Sequence, residues 1–198
     1  HNTEMKTCAV HAADISDFKS AEMKELVKEN DVIYVYHNVI DAAGDSSKSE
    51  DTVFQAAETA LQEITQLIQK FTSGNARHIF VTADHGFIYQ NRKLEESDYL
   101  GDVPEGEVIN HKDRRFVIGS GLLESVNFKK FTSRQVGLEG NTEFLFPKSI
   151  NRLRKSGSGS KYVHGGLALQ EIIVPVVKIY KGRQSDIRPV EVSILSSP

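Results

Sequence analysis

The pattern of apolar and polar positions predicts a strand, a long helix and a second strand in the first half of the chain. The run DVIYVYHN at residues 31–38 is rich in β-branched and aromatic residues, which is typical of a buried strand. From Ser49 to Gly74, apolar residues recur at helical spacing, with acidic residues in the first turn and glycine after the last. The apolar stripe of this helix comprises Val53, Ala57, Ala60, Leu61, Ile64, Leu67, Ile68 and Phe71. Because the apolar run RHIFVTA follows at residues 77–83, we expect two parallel strands joined by a right-handed crossover.

The rest of the chain has shorter elements. A short amphipathic helix is predicted at 20–30, before the first strand. Beyond Tyr89, loops rich in Gly, Asp, Glu and Pro separate the strand-like pieces RRFVIGS, FKKFTS and TEFLFP, so we expect residues 92–155 to form an antiparallel insertion. The segment RKSGSGSKYVHGG is a flexible loop by composition, EIIVPVVKIY is a predicted strand and RPVEVSIL a predicted edge strand. The expected fold is one α/β domain over residues 1–198, with a mostly parallel sheet flanked by helices and an antiparallel β-rich insertion.

Composition narrows the classes of protein to consider. No apolar run approaches the ~20 residues of a membrane span, and the N-terminus lacks the order of a signal peptide, so we expect a cytoplasmic protein without a membrane segment. The single cysteine, Cys8, excludes an internal disulfide. Because the chain begins with His1 instead of methionine, we expect it to be part of a longer protein.

The net charge of −3 conceals an uneven distribution. Residues 108–161 contain eleven Lys or Arg and four Asp or Glu, an excess of seven positive charges, and the remainder carries −10. Two interpretations are open: a solvated surface of mixed charge, or a face that contacts phosphates of a small substrate or of nucleic acid. The residues we expect to make such contacts are Arg114, Arg115, Arg152, Arg154 and Lys155.

Candidate metal ligands follow the predicted strands. Asp41 and Asp45 come after the first strand, Asp84 and His85 after the second, and His164 precedes the strand at 171–180. Each alone is consistent with an ordinary turn, helix cap or structural histidine. Ligands of an open parallel sheet, however, gather beyond the carboxyl ends of its strands. Converging carboxylates and imidazoles there would suit Zn²⁺ or Mn²⁺.

Three motifs resemble a known family. HNVIDAAGD, a helix of some twenty-five residues and FVTADHGF resemble the core of the alkaline phosphatase superfamily, especially the cofactor-independent phosphoglycerate mutases. With YVHGGLALQEIIVPVV added, the chain resembles the PglZ family of bacteriophage-exclusion (BREX) defence systems over nearly its whole length. The specific signals of this resemblance are the TADHG motif and the ordered segments HGG, QE and VP, and the DAAGD motif is supporting evidence.

The resemblance implies a centre of two divalent metals in the intact protein. Asp84 and His85 would hold one ion, and Asp41, Asp45 and His164 the other. Most of the superfamily has histidine where this chain has Asp45, which would make the site harder and favour Mn²⁺ or Mg²⁺ over Zn²⁺, or weaken binding. The implied activity is hydrolysis of a phosphoester, on a phosphorylated substrate or nucleic acid, together with other phage-defence subunits.

The superfamily's serine or threonine nucleophile, with an adjoining aspartate, precedes the first shared motif. In this chain only Thr7 and Ser16 could serve, and neither follows a convincing strand with an aspartate beside it, so we expect the nucleophile to be missing and the chain to be inactive. A missing first strand would leave a sheet edge open to homodimer formation. Two alternatives stay open: a non-catalytic scaffold that binds nucleic acid or a partner, and a mutase or phosphotransferase of the same superfamily.

Overall fold

The computed structural model describes residues 5–156 and 159–182. Its helices are α1 (Ser20–Glu29), α2 (Val39–Gly44), α3 (Val53–Ser73) and α4 (Leu169–Ile172). Its strands are β1 (Thr7–His11), β2 (Val32–Tyr36), β3 (His78–Thr82), β4 (Ile88–Tyr89), β5 (Val108–Lys112), β6 (Val117–Ser120), β7 (Phe128–Thr132), β8 (Glu143–Pro147), β9 (Tyr162–Val163) and β10 (Val176–Tyr180). This mixture of helices and strands agrees with the expected α/β class.

The predicted strand, helix and strand of the first half are present as β2, α3 and β3. Helix α3 begins at Val53, directly after a 3-10 turn at Glu50–Thr52 that contains the acidic residues Glu50 and Asp51, and Gly74 follows its last residue. One position of the predicted stripe is wrong, since Leu61 is 67% exposed. Helical spacing places Leu61 beside the buried Ala60, near the edge of the face that packs against α1 and α2.

The strand pairing differs from the expected mostly parallel sheet. β1 and β2 pair in parallel, from Thr7 opposite Val32 to His11 opposite Tyr36, and they form the only extended parallel pair among the described residues. β3 instead pairs antiparallel with β10, in a separate two-stranded sheet. Periodicity predicts which side chains are buried but not which edge a strand offers to which partner, so the parallel arrangement is not confirmed.

β2 and β3 nevertheless share one core. Ile33 of β2 and Ile79 of β3 pack against the same buried cluster of Ile15, Met23 and Phe71. Helix α3 supplies Phe71 to this cluster, so it brings the carboxyl ends of the two strands into one neighbourhood without a direct ladder between them. Asp41 comes after β2 and His85 after β3, so both residues are attached to strands that share this core.

The second half contains a four-stranded antiparallel sheet in the order β5, β6, β8, β7. The three predicted strand pieces supply β6, β7 and β8. Their residues Val117, Phe128 and Leu145 form a second core together with Leu122 and Leu153 from the loops. The predicted strand at 171–180 is wrong at its start, since Glu171 and Ile172 belong to α4, where Glu171 forms a buried ion pair, and the observed strand comprises Val176–Tyr180. The predicted edge strand at 188–195 lies outside the described residues.

Within the part of the chain that is described, no helix has the length and apolar character needed to span a membrane.

Candidate metal centre

Asp41, His85 and His164 come together from three separate loops. Asp41 lies in the first turn of α2, just after β2, while His85 follows β3 and His164 follows the short strand β9. One ligand atom from each residue lies within 4.8 Å of the other two. The Nε2 atom of His85 is 3.7 Å from Oδ2 of Asp41, and the two imidazoles stack with ring centroids 4.2 Å apart and an interplanar angle of 7°.

This cluster fits a divalent metal. Bonds of about 2.0–2.1 Å place two ligand atoms of a tetrahedral ion roughly 3.4 Å apart. The 3.7 Å between His85 and Asp41 is close to that spacing. The two imidazoles are nearly parallel, so one ring must tilt before both nitrogens can face the same ion. One carboxylate and two imidazoles form a donor set suited to Zn²⁺ or Mn²⁺, and all three residues are half-buried, which limits competition from bulk water.

Asp45 and Asp84 lie at the rim of this cluster. Oδ1 of Asp45 is 3.5 Å from Nε2 of His164, and its side chain is 56% exposed. Oδ1 of Asp84 lies 3.9 Å from Nε2 of His85 and accepts a hydrogen bond from the His85 backbone N–H at 3.0 Å, although the Asp84 side chain is 86% exposed. The structure thus places all five predicted ligands in one neighbourhood, but the tight group joins His85 with Asp41 and His164. Their ligand roles remain predictions.

Tyr162 holds Asp41 in place, a role that the sequence analysis missed. Its side chain is fully buried, and its hydroxyl donates a hydrogen bond to Oδ1 of Asp41. Burial, and then the bond to Asp41, raise the pKa of Tyr162 well above its usual value, so the hydroxyl keeps its proton and remains a donor. The ring lies so close to Gly44 that a Cβ there would come within 2.3 Å of it. The i, i+2 spacing of Tyr162 and His164 was the available signal, because it places both side chains on the same side of an extended segment.

Three of the five basic residues expected to contact phosphate are buried, and two of these, Arg115 and Arg152, bond within the protein interior. Arg115 is fully buried against Glu171, and Arg152 donates to the backbone carbonyls of Ser160 and Lys161. Burial lowers the pKa of Arg152 to about 10, which leaves it charged at neutral pH. Because the donors of these two guanidinium groups already serve the protein interior, their placement does not support contact with an external phosphate.

The other three basic residues have more access to solvent or to the metal centre. Arg154 pairs with Glu96 at the surface, and Lys155 donates to Asp113 at 2.5 Å. Arg114 is different, because its Nη2 atom lies 3.6 Å from Asp45 at the rim of the centre. Its Nη1 atom donates to the Gly159 and Tyr162 carbonyls, which fixes the guanidinium in that position.

Comparisons with known proteins identify the family of this chain. A family model described as the BREX system PglZ alkaline phosphatase-like domain matches residues 1–179. The alkaline phosphatase-like protein BrxZ of Escherichia coli O9:H4 (strain HS) is 40% identical over 178 residues, which cover 88% of this chain and 20% of that protein. The alkaline phosphatase-like protein PglZ of Bacillus cereus (strain H3081.97) is 36% identical over 195 residues, 95% of this chain and 22% of that protein.

The chain therefore spans about a fifth of the length of these curated relatives. Its match to the family model nevertheless extends through all three loops that carry Asp41, His85 and His164. These findings show that the chain belongs to the PglZ family of BREX-system alkaline phosphatase-like domains.

Proposed function

We propose that this chain binds divalent metal through Asp41, His85 and His164 and contributes these ligands to the metal centre of a phosphoester hydrolase in a BREX-type defence system. The observation that carries the proposal is the convergence of three potential ligand atoms, from three loops, within 4.8 Å of one another. The hydrogen bond from buried Tyr162 to Asp41 adds support, because an oriented carboxylate loses less freedom on binding an ion.

The proposed centre of the intact protein holds two ions. Asp84 and His85 bind one, and Asp41, Asp45 and His164 bind the other. This division is supported by the rim carboxylates, since Oδ1 of Asp84 lies 3.9 Å from Nε2 of His85 and Oδ1 of Asp45 lies 3.5 Å from Nε2 of His164. In the chain on its own, the three residues of the tight cluster share a single ion, which is the site that the experiments below test. When bound, such ions supply a deprotonated nucleophile and stabilise negative charge on the phosphoryl oxygens.

Arg114 is the basic residue best placed to bind the substrate's phosphate. Its Nη2 atom faces the rim of the centre, while two backbone carbonyls hold Nη1. Because Nε also donates to Asp113 at 3.3 Å, a phosphate oxygen at the rim would accept a hydrogen bond from Nη2. The burial of Arg115 and Arg152 argues against a broad basic face for nucleic acid and favours a phosphate group bound at the centre.

The chain alone is proposed to be catalytically inactive. Thr7 is paired with Val32, at the end of the β1–β2 ladder opposite to the loop that carries Asp41. Ser16 follows β1 at the correct end, but its hydroxyl donates to the carbonyl of Ala13. Neither hydroxyl is therefore placed as a nucleophile for the proposed centre.

Metal titration and a phosphatase assay test these proposals together. Calorimetric titration with Zn²⁺ and with Mn²⁺ should show binding by the wild type that is abolished in His85→Ala. His78→Ala is a matched control, since this exposed histidine of β3 lies outside the cluster and its loss should leave binding unchanged. A wild-type chain that binds neither ion would refute the metal site. Metal-dependent hydrolysis of an aryl phosphate that disappears in Asp84→Ala would instead refute the proposed inactivity.

The second candidate function is a non-catalytic scaffold of the defence complex. The exposure of Asp45 and Asp84, which leaves three residues in the tight cluster, favours it over a complete two-metal enzyme. The full-length protein distinguishes the two functions. A scaffold would bind metal, if at all, without hydrolysing phosphoesters, whereas the hydrolase would lose its turnover in Asp84→Ala.

A further inference from the structure

We infer that Arg115 and Glu171 are positioning residues for the metal centre, because their buried ion pair joins the loops of His85 and His164 to the antiparallel sheet. Both side chains are fully buried, with Nη2 of Arg115 2.8 Å from Oε2 of Glu171. The inference rests on the proposed metal-binding function.

The Glu171 carboxylate holds the loop that follows His164. It accepts hydrogen bonds from the backbone N–H groups of Gly166 at 2.9 Å and Ala168 at 3.0 Å. Arg115 donates to the same carboxylate through Nε at 2.9 Å and Nη2 at 2.8 Å. Four donors therefore converge on one buried carboxylate, and one of them, the Gly166 N–H, lies two residues after His164, so Glu171 fixes the backbone on which His164 is carried.

The main chain around Glu171 holds the second ligand loop. The Gly86 N–H donates to the Glu171 carbonyl at 2.8 Å, and the Gly86 carbonyl lies 3.0 Å from Nδ1 of His85. Gly86 also packs tightly against α4, since a Cβ at this position would lie 2.1 Å from the Gln170 carbonyl oxygen. Glu171 thus contacts the loops of both histidines, one through its side chain and the other through its backbone.

Arg115 connects this arrangement to the rest of the protein. Its Nη1 atom donates to the carbonyl of Ser149 at 2.9 Å and to that of Asn151, in the segment after β8. Its backbone neighbour Phe116 packs beside Gly165, in the His164 loop. The ion pair therefore sets the distance between the antiparallel sheet and the two loops that meet at the stacked imidazoles.

The energetics of buried ion pairs favour a positioning role for this pair over a purely stabilising one. Replacement of a buried ion pair by apolar residues of similar volume is often neutral or stabilising, because desolvation offsets the attraction between the charges. Most of the effect of this pair on the fold is therefore expected to come from the hydrogen bonds that its two side chains make to the backbone, which have no apolar substitute. A variant that keeps the packing but lacks those bonds separates the two roles.

The test compares the wild type with the double variant Arg115→Met/Glu171→Leu. The control is Lys129→Met/Glu124→Leu, which removes an exposed ion pair of the antiparallel sheet with a 3.1 Å separation. Three quantities are measured: the urea midpoint of unfolding without metal, the Kd for Mn²⁺, and the NMR shifts of the His85 and His164 imidazoles. We expect the buried double variant to stay folded but to unfold at a lower urea concentration, because the N–H groups of Gly166 and Ala168 and the carbonyls of Ser149 and Asn151 lose their side-chain partners. It should bind Mn²⁺ on the order of 10- to 100-fold more weakly, with loss of the shifts caused by ring stacking. The control should match the wild type in all three.

The outcomes separate this inference from the proposed function. A wild type that does not bind Mn²⁺ would refute the proposed metal site, but the imidazole shifts of the metal-free protein would still test positioning. Unchanged shifts and unchanged Mn²⁺ affinity in the folded double variant would overturn the inference. Arg115→Lys serves as a second variant that keeps the buried charge but offers one donor group in place of the fork. It should weaken Mn²⁺ binding less than the double variant does, and wild-type affinity and shifts in this variant would also overturn the inference.

Discussion

Substitution of Gly86 by alanine should disturb both the fold and the metal centre, because the added methyl group has no room. Its Cβ would stand 2.1 Å from the Gln170 carbonyl oxygen, whereas ordinary contacts begin at 3.4 Å. The two segments would have to separate by about 1.3 Å, since packed interiors have little free space. That shift breaks the 2.8 Å bond from the Gly86 N–H to the Glu171 carbonyl, which contributes about 1 kcal/mol. Overpacking adds about 1–3 kcal/mol, so the expected loss is about 2–4 kcal/mol.

Urea denaturation monitored by circular dichroism measures this loss of unfolding free energy. Gly101→Ala is the matched control, because a Cβ there meets nothing within 4 Å, and surface changes of this kind alter stability by about 0.5 kcal/mol or less. Gly86→Ala should also weaken Zn²⁺ binding, since Gly86 adjoins His85. If Gly86→Ala were as stable as Gly101→Ala and bound Zn²⁺ like the wild type, the proposed link between α4 and the His85 loop would be wrong.

Three further predictions concern single side chains. Tyr162→Phe removes the donor to Asp41 and should weaken Mn²⁺ binding roughly tenfold in a calorimetric titration; wild-type affinity would show that this bond does not orient the carboxylate. Leu145→Ala, at a fully buried core position, should lower the unfolding free energy by about 2–5 kcal/mol in urea, and a loss below 1 kcal/mol would contradict its core placement. Burial tends to raise the pKa of Asp113, but the hydrogen bonds from Lys155 and the Arg114 backbone outweigh it and the net pKa is lowered. The ionised carboxylate therefore stabilises the fold above pH 3.8, the ordinary carboxyl pKa, and this stabilisation is lost as the pH falls below that value. Asp113→Asn should make the free energy of unfolding less dependent on pH in this acidic range, and an unchanged pH dependence would contradict the assignment.

Local structure could be predicted from the sequence because it depends on periodicity. The helical spacing of apolar residues over 53–71 predicted α3, and the apolar runs around Ile33 and Ile79 predicted β2 and β3, all of which the structure contains. The metal-centre residues Asp41, His85 and His164 could be singled out for a related reason, since each stands beside the end of an apolar run, where strand-end ligands gather.

Long-range pairing could not be predicted in the same way. The partner of β3 is β10, almost 100 residues further along the chain, and alternation of apolar residues is equally consistent with pairing to β2. Arg115 was assigned to a phosphate-contacting face because a count of charges cannot distinguish a solvated arginine from one that meets Glu171, 56 residues away. Tyr162 was missed because its hydrogen bond to Asp41 spans 121 residues, and the i, i+2 spacing from His164 places Tyr162 on the same side of the segment without indicating this partner.

Anomalous diffraction from crystals of the chain soaked in Mn²⁺ is the most direct test of the central claim, that Asp41, His85 and His164 form a metal site. Data collected at the manganese absorption edge should show a peak about 2.0–2.2 Å from a carboxylate oxygen of Asp41 and from an imidazole nitrogen of His85 and of His164. The same peak should be absent from crystals of His85→Ala. A wild-type map without a peak at these three side chains, or with manganese bound only elsewhere on the protein, would contradict the account.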